Sequence, residues 1–363
     1  MSLMPTHEGA CAPAPNSKNR NATTEAVAQQ IRTRRKTAAE FHDPVIGHGD
    51  RRYRVDKLWC KADPAKLPVQ DCHEMVQSGD GRLFLLTNHP QNNVLIFDRQ
   101  GAVLGWWTLG LSGAHGLTWH REASGQEFLY ITDTDGRVLK MTLDGKIALE
   151  LPHPAKVGAY TDKDSYIPTE TAVAPNGDIY VADGYGSQYV LRFGRDGAFI
   201  GKFGGRGVLP DNPAKFMQVH GVALDQRGDI PLLICTERIR NELSWFTLDG
   251  KFVRNVYLPG AYLNRPVIKD GYLYSAVCFG IRPDDFRMWQ NRGFITILDK
   301  ENRVVSNPGG HTPNYARGRL QPMLQDQPVF CNCHDVCVDD SDDLYVCQWN
   351  SANVYPYKLH REG

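Results

Sequence analysis

Residues 113–133, GAHGLTWHREASGQEFLYITD, and residues 218–238, QVHGVALDQRGDIPLLICTER, follow one plan. Each opens on a small or polar lead and runs through a short alternating strand. It then turns on polar residues and returns as a second strand. The plan recurs as DCHEMVQSGDGRLFLL from Asp71, PTETAVAPNGDIYVADGYG from Pro168, NRPVIKDGYLYSAV from Asn264 and CHDVCVDDSDDLYVCQW from Cys333. Third strands follow each of the six, as NNVLIF, GRVLKM, QYVLRF, ELSWF, GFITIL and NVYPYKL. After four of them a D-G-x-hydrophobic or Q-G-x-hydrophobic return supplies a fourth: RQGAVLGWW, LDGKIALEL, RDGAFIGKF and LDGKFVRNV. Four strands per unit, at roughly 40 to 70 residues each, is the signature of propeller blades. An all-β, six-bladed β-propeller of the NHL-like kind is the expected fold, and in-register repetition argues against a barrel or sandwich.

The last unit ends on its third strand, and YRVDKLW at Tyr53–Trp59, ahead of the first unit, is the candidate for the missing fourth. Such an overlap closes the ring without leaving two open sheet edges. Residues 1–48 are polar, with APAP near the start and a helix-compatible stretch over Ala26–Phe41, and are expected to form a partly disordered or helical arm. The propeller is then 49–363. Lysines plus arginines equal acids at 41 each in 363 residues, which gives no electrostatic case for nucleic acid or an anionic membrane as partner. Absence of a long apolar run or an apolar leader makes the chain, as given, read as cytoplasmic. A removed export signal stays compatible with that reading, and oligomeric state is not legible.

When the units are aligned, one column near the start of the first strand reads His73, His115, Thr169, His220 and His334. In a propeller that strand lines the central channel, so equivalent positions point at one axial ring. Four of the twelve histidines fall in this column, which is why a lone core histidine is the poorer explanation. Neutral imidazoles converging on one point suit Zn2+, copper or iron. His115, His220 and His334 alternate round the ring as a tripod, and His73 lies between two of them as a fourth ligand, a hydrogen-bonding neighbour or a general base. Zn2+ is expected, with Fe2+ as the alternative if four histidines bind. FCNCHDVC, with Cys331, Cys333 and Cys337 around His334, lacks a second ligand pair of the kind a structural zinc site needs. Cys235, Cys278, Cys337 and Cys347 sit in apolar runs, where free cysteine behaves as a small hydrophobe.

From about Tyr53 onward these motifs resemble the lyase domain of peptidylglycine amidating enzymes, peptidyl-α-hydroxyglycine α-amidating lyase, within the wider NHL-repeat propellers. AHGLTW, QVHGVALD and CHDVCVDD look like that family's three metal-ligand motifs, carrying His115, His220 and His334. ADGYG at Ala182–Gly186 looks like its third-blade turn, which implies Tyr185 as a catalytic tyrosine, and CTERIRNELSWF places Arg238 where the family has an active-site arginine. PTETAVA resembles its PTDVAV segment. The resemblance also implies a structural Ca2+ held by Asp335 with the carbonyl of Leu117. Three departures stand out: TNHP puts Asn88 where the family has a catalytic arginine, Asn332 replaces a methionine, and His73 has no counterpart among the family's ligands.

The implied function is a metal-dependent lyase acting on a carbinolamide or related small-molecule or peptide substrate in the central channel. Tyr185 would act as base or proton shuttle, Arg238 would hold a substrate carboxylate, and His73 is the third catalytic candidate. FGIRPDDFRMWQNRG after the fifth unit and the Pro-rich 307–329 stretch are expected to fold over a channel mouth. Two rival readings are a four-histidine non-haem iron oxygenase or cleavage enzyme, and a non-enzymatic NHL-type binding propeller.

Overall fold

A computed structural model describes residues 42–207, 212–325 and 328–363. The protein is an all-β, six-bladed propeller. Blades one to four are four-stranded antiparallel sheets whose innermost strands are Cys72–Gln77, Ala114–Arg121, Glu170–Val173 and Val219–Asp225. Blade five starts on Leu263–Lys269 and ends on a fourth strand of three residues, Val304–Ser306. Blade six starts on Cys333–Val338 and is completed from the other end of the chain.

That completion is the ring closure expected from the sequence. Arg51–Asp56 pairs antiparallel with Tyr357–Glu362, with Tyr53 opposite Arg361 and Val55 opposite Leu359. Tyr53, Val55 and Leu359 are fully buried and pack with Val336, Leu344 and Val346. A hairpin through Gly47 and Gly49 adds His42–His48 as a fifth strand outside Arg51–Asp56. The arm boundary expected at residue 48 therefore falls inside a paired hairpin. Residues 1–41, with the helix-compatible stretch, lie outside the described residues.

Burial grades outward along each blade for a simple reason. Inner and second strands are covered on both faces by neighbouring blades, so Leu83–Thr87 and Leu344–Gln348 are buried throughout. Outer strands have one covered face, so Val103–Trp107 and Phe252–Tyr257 alternate in exposure. The core is six inter-blade clusters of Leu, Val, Ile and aromatic side chains arranged around the axis. Polar atoms on the axis itself must then find partners there or serve a ligand.

Of the two stretches expected at a channel mouth, 279–293 forms a small hairpin, Gly280–Ile281 against Met288–Trp289. It is tied to blade six by Asn332, whose Oδ1 accepts from the Asn291 amide at 2.8 Å. Phe279, at the root of this hairpin, packs against Trp349 of blade six and Tyr262 of blade five. From the 307–329 stretch, Met323 packs with Leu258, Ala261 and Leu263 beside blade five. Among the described residues no helix is long and apolar enough to cross a membrane.

Candidate metal centre

The histidine column becomes a ring of four imidazoles on the axis. Ring centroids stand 4.6 Å apart for His73 and His334, 4.9 Å for His73 and His115, and 4.8 Å for His115 and His334. His220 lies 4.9 Å from His115 and 5.3 Å from His334. The donor atoms that come within 4.8 Å of one another are those of His73, His115 and His334, on the adjacent blades six, one and two. His220, the third member of the tripod expected from the sequence, falls outside that group, and its Nε2 lies 2.9 Å from the Tyr185 hydroxyl.

Local contacts fix the tautomers. His115 Nδ1 lies 2.9 Å from the Thr169 carbonyl, and His334 Nδ1 lies 2.9 Å from the His73 carbonyl. A carbonyl only accepts, so both Nδ1 atoms carry the hydrogen and both Nε2 lone pairs face the axis. The Tyr185 hydroxyl is 3.2 Å from His115 Nε2. It donates there, and His220 Nε2–H donates to Tyr185, leaving His220 Nδ1 bare. His334 Nε2, His73 Nδ1 and His220 Nδ1 are all buried without a protein partner.

Burial drives all four imidazoles toward the neutral form. It pushes His73 down to about 3. Burial first, then neighbouring imidazoles and the Arg238 charge, hold His115, His220 and His334 well below the ordinary value. Neutral rings with bare, inward lone pairs are the donor set a zinc or iron ion requires. Nitrogens bound at 2.0–2.1 Å in a tetrahedral site lie about 3.4 Å apart, so the rings would draw inward by roughly 0.5–1 Å on binding. Thr169 and Asn264 complete the ring on blades three and five. Asn264 donates to the Cys333 carbonyl at 2.7 Å.

Tyr185 is held by a rigid turn. Asp183 accepts from the Ile167 amide at 2.7 Å, the Ser187 amide at 2.6 Å and the Tyr160 hydroxyl at 2.7 Å. A Cβ at Gly184 would stand 2.2 Å from the Val219 carbonyl oxygen, and one at Gly186 would stand 2.1 Å from Asp183 Oδ1. Both positions of ADGYG therefore exclude any side chain. Arg238 is buried rather than a solvated loop charge; its Nη1 lies 3.5 Å from the Tyr185 hydroxyl and its Nη2 donates to Asn264 Oδ1. Burial raises the Tyr185 phenol despite the opposing Arg238 charge. Asn88 is turned away to a loop, bonded through both side-chain atoms to Asp71.

The calcium expected at Asp335 and Leu117 does not fit. Arg265 Nη1 donates to the Leu117 carbonyl at 2.6 Å, and its Nη2 donates to Asp335 Oδ2 at 2.7 Å. The oxygens an ion would use are already bound to a cation. Arg265, Glu74 and Glu170 are the axial residues sequence reading passed over. The signal was the column immediately after the histidines, which reads Glu74, Gly116, Glu170, Gly221, Arg265 and Asp335. The cysteine motif contributes no ligand: Cys333 and Cys337 are buried in inter-blade clusters, and Cys331 Sγ lies against Asn291 and Asn350. Cys235, Cys278 and Cys347 are likewise buried, and with Cys60, Cys72, Cys333 and Cys337 they are free thiols.

No family model matches the chain. The chain is 27% identical over 237 residues to peptidyl-alpha-hydroxyglycine alpha-amidating lyase 1 of Drosophila melanogaster, a stretch covering 60% of this chain and 39% of the fly protein. It thus spans well under half of that relative's length. Among solved structures it is similar to a streptogramin B lyase, with a TM-score of 0.52 at 15% identity over 82% of this chain and 95% of that one. A gluconolactonase of Xanthomonas campestris matches with a TM-score of 0.53 at 14% identity over 90% and 94% of the two chains. The two structural likenesses establish the propeller fold, and the fly protein is a distant lyase homologue.

Proposed function

We propose that this chain is a metal-dependent, lyase-like enzyme whose four-histidine ring and Tyr185 act on a carbinolamide or a related small or peptidic substrate. The observation that carries the reading is the Tyr185 hydroxyl, held between His115 Nε2 and His220 Nε2 and within 3.5 Å of Arg238 Nη1. A phenol so placed can take and return a proton at the point where the imidazole lone pairs meet. Distant homology to an amidating lyase supports the reaction class.

A divalent ion held by His115, His334 and one or both of His73 and His220 would act as a Lewis acid and draw down the pKa of nearby hydroxyls. The chain's residues do the rest. Arg238 offers a buried guanidinium edge for a substrate carboxylate or carbonyl. Tyr185 would act as its phenolate, which the Arg238 charge within 3.5 Å favours, and in that form accepts the proton of the carbinolamide hydroxyl. As the C–N bond breaks, its electron pair goes to nitrogen and the hydroxyl carbon becomes a carbonyl. Tyr185 then returns the proton to that nitrogen, so the cycle needs no oxidant. Burial raises its phenol, which makes the phenolate a stronger base for taking the hydroxyl proton, and the Arg238 charge opposes that rise.

One observation favours a second reading, a four-histidine iron oxygenase or cleavage enzyme. His73 joins His115 and His334 in one donor cluster, and the His220 ring stands 4.9 Å from His115, so a fourth nitrogen is at hand. Elemental analysis of the wild type and of His73→Ala separates the two. Zinc in the wild type, retained in His73→Ala with lowered turnover, supports the lyase. Iron in the wild type, lost on mutation, with oxygen consumed during turnover, removes it.

A further inference from the structure

One residue beyond the histidine ring, each inner strand presents its next side chain to the axis: Glu74, Glu170, Arg265 and Asp335, with Gly116 and Gly221 on the other two blades. The three acids and the arginine are all buried. Arg265 enters from blade five and reaches across to blades one, two and six. It bonds the Leu117 carbonyl at 2.6 Å, the Met75 carbonyl at 3.1 Å and both oxygens of Asp335 at 3.1 and 2.7 Å. Glu74 and Glu170 stand 3.7 and 3.9 Å from its Nε. The carboxylates in turn staple neighbouring strands, Glu74 accepting from the Leu117 amide and Asp335 from the Met75 amide.

A carboxylate and two main-chain carbonyls from three strands form a hard-oxygen cage of the kind a calcium ion takes. Here the cage closes on a guanidinium whose forked donors satisfy those oxygens individually. Glycine at 221 lets the strand that carries Arg265 approach closely, since a Cβ there would lie 2.8 Å from Arg265 Cα. On the far side of Arg265 a cavity of about 530 Å3, lined by Met75, Thr118, Thr171, Val222 and Pro266 among others, opens away from the histidines. Arg265 lines this cavity and none of the four ring histidines does.

We propose that Arg265 is a resident cation, covalently tethered in the place and among the oxygen ligands that a divalent ion would otherwise occupy. The chain therefore closes its axis without calcium and keeps its fold where free calcium is scarce. The inference holds whether or not the histidines bind a metal.

The first test is the wild type in resin-treated buffer. Far less than one calcium per chain, and one melting temperature with and without millimolar CaCl2, are expected. The second is Arg265→Ala, which leaves buried carboxylates unpaired and should lower the melting temperature by about 5–8 °C. CaCl2 should restore part of that loss, and NaCl of equal ionic strength should not. Arg265→Lys keeps the charge without the fork, and should be destabilised less and show no calcium response. If Arg265→Ala does not fold unaided, its refolding yield with and without CaCl2 reads the same question. Stoichiometric calcium in the wild type, a calcium-dependent wild-type melting temperature, or an Arg265→Ala variant indifferent to calcium in both assays would overturn the proposal.

Discussion

Two rings one residue apart on the same six strands have opposite character. The upper ring, His73, His115, His220 and His334, is neutral and leaves three buried nitrogens without partners. The lower ring, Glu74, Glu170, Arg265 and Asp335, is densely charged, and its guanidinium is bonded on every side. Burying polar atoms without partners costs free energy that a merely structural position has no reason to bear. The upper ring is where a ligand belongs; the lower ring, in which Glu170 Oε2 lacks a hydrogen bond but stands 3.9 Å from Arg265 Nε, locks the blades beneath it.

The sharpest way to break this comparison is at Tyr185, which touches the upper ring only. Tyr185→Phe removes the hydroxyl and keeps the ring, so metal content should stay at the wild-type level. Turnover of a carbinolamide substrate should fall about 10²–10⁴-fold, the usual contribution of a positioned acid or base. An unchanged rate would take Tyr185 out of the chemistry.

Next in size is ligand loss. His334 offers a bare Nε2 fixed by its Nδ1–H to the His73 carbonyl. With roughly 10–16 kcal/mol shared among the ligands of a zinc site, His334→Ala should weaken binding about a hundredfold by competition with a chromophoric chelator. His220→Ala should weaken it less, because His220 lies outside the group of donor atoms within 4.8 Å of one another. Equal losses in the two variants would restore the alternating tripod.

A smaller effect probes the lower ring. Gly221→Ala must push the Arg265 backbone, 2.8 Å from the added carbon, and should cost about 1–3 kcal/mol in denaturant unfolding. Gly201→Ala, on an outer strand with nothing within 4 Å, is the control and should stay within about 0.5 kcal/mol. If the two cost the same, the lower ring is not close-packed.

The propeller and its closure were legible because repetition turns weak strand signals into a column-by-column alignment. The histidine ring was legible for the same reason. His73, His115, His220 and His334 share a column, and a closed propeller aims a column at its axis. Which histidines stand closest was not legible. Tyr185 reaches in from a turn outside the column and engages His220, and only side-chain geometry shows that. Arg265 was hidden in NRPVIKDGYLYSAV, a unit without a histidine. Its partners Glu74 and Asp335 sit beside ligand candidates and read as strand-start polar residues until three blades are brought together. The resemblance suggested calcium for Asp335 and Leu117, and the oxygens are where it implies. The cation is different.

The least change is expected from acid, and it separates a buried histidine site from an exposed one. An imidazole with its ordinary value of 6.5 takes up a proton, and releases a metal, as pH falls toward 6. Burial lowers His73 to about 3 and lowers the other three well below 6.5. A lowered value means that protons compete with the metal only at correspondingly lower pH. Dialysis at about pH 5 should therefore leave metal content nearly unchanged in elemental analysis. Stability of the metal-free protein is a poorer measure over this window. Neutral buried histidines lose stability as pH falls below 6.5, because the unfolded chain binds protons that the folded chain refuses. Glu74 and Glu170, raised chiefly by burial, contribute with the opposite sign as pH falls. Metal content carries no such cancellation, and half-loss near pH 6 would mean that the histidines behave as solvent-exposed groups and that the ring opens to water.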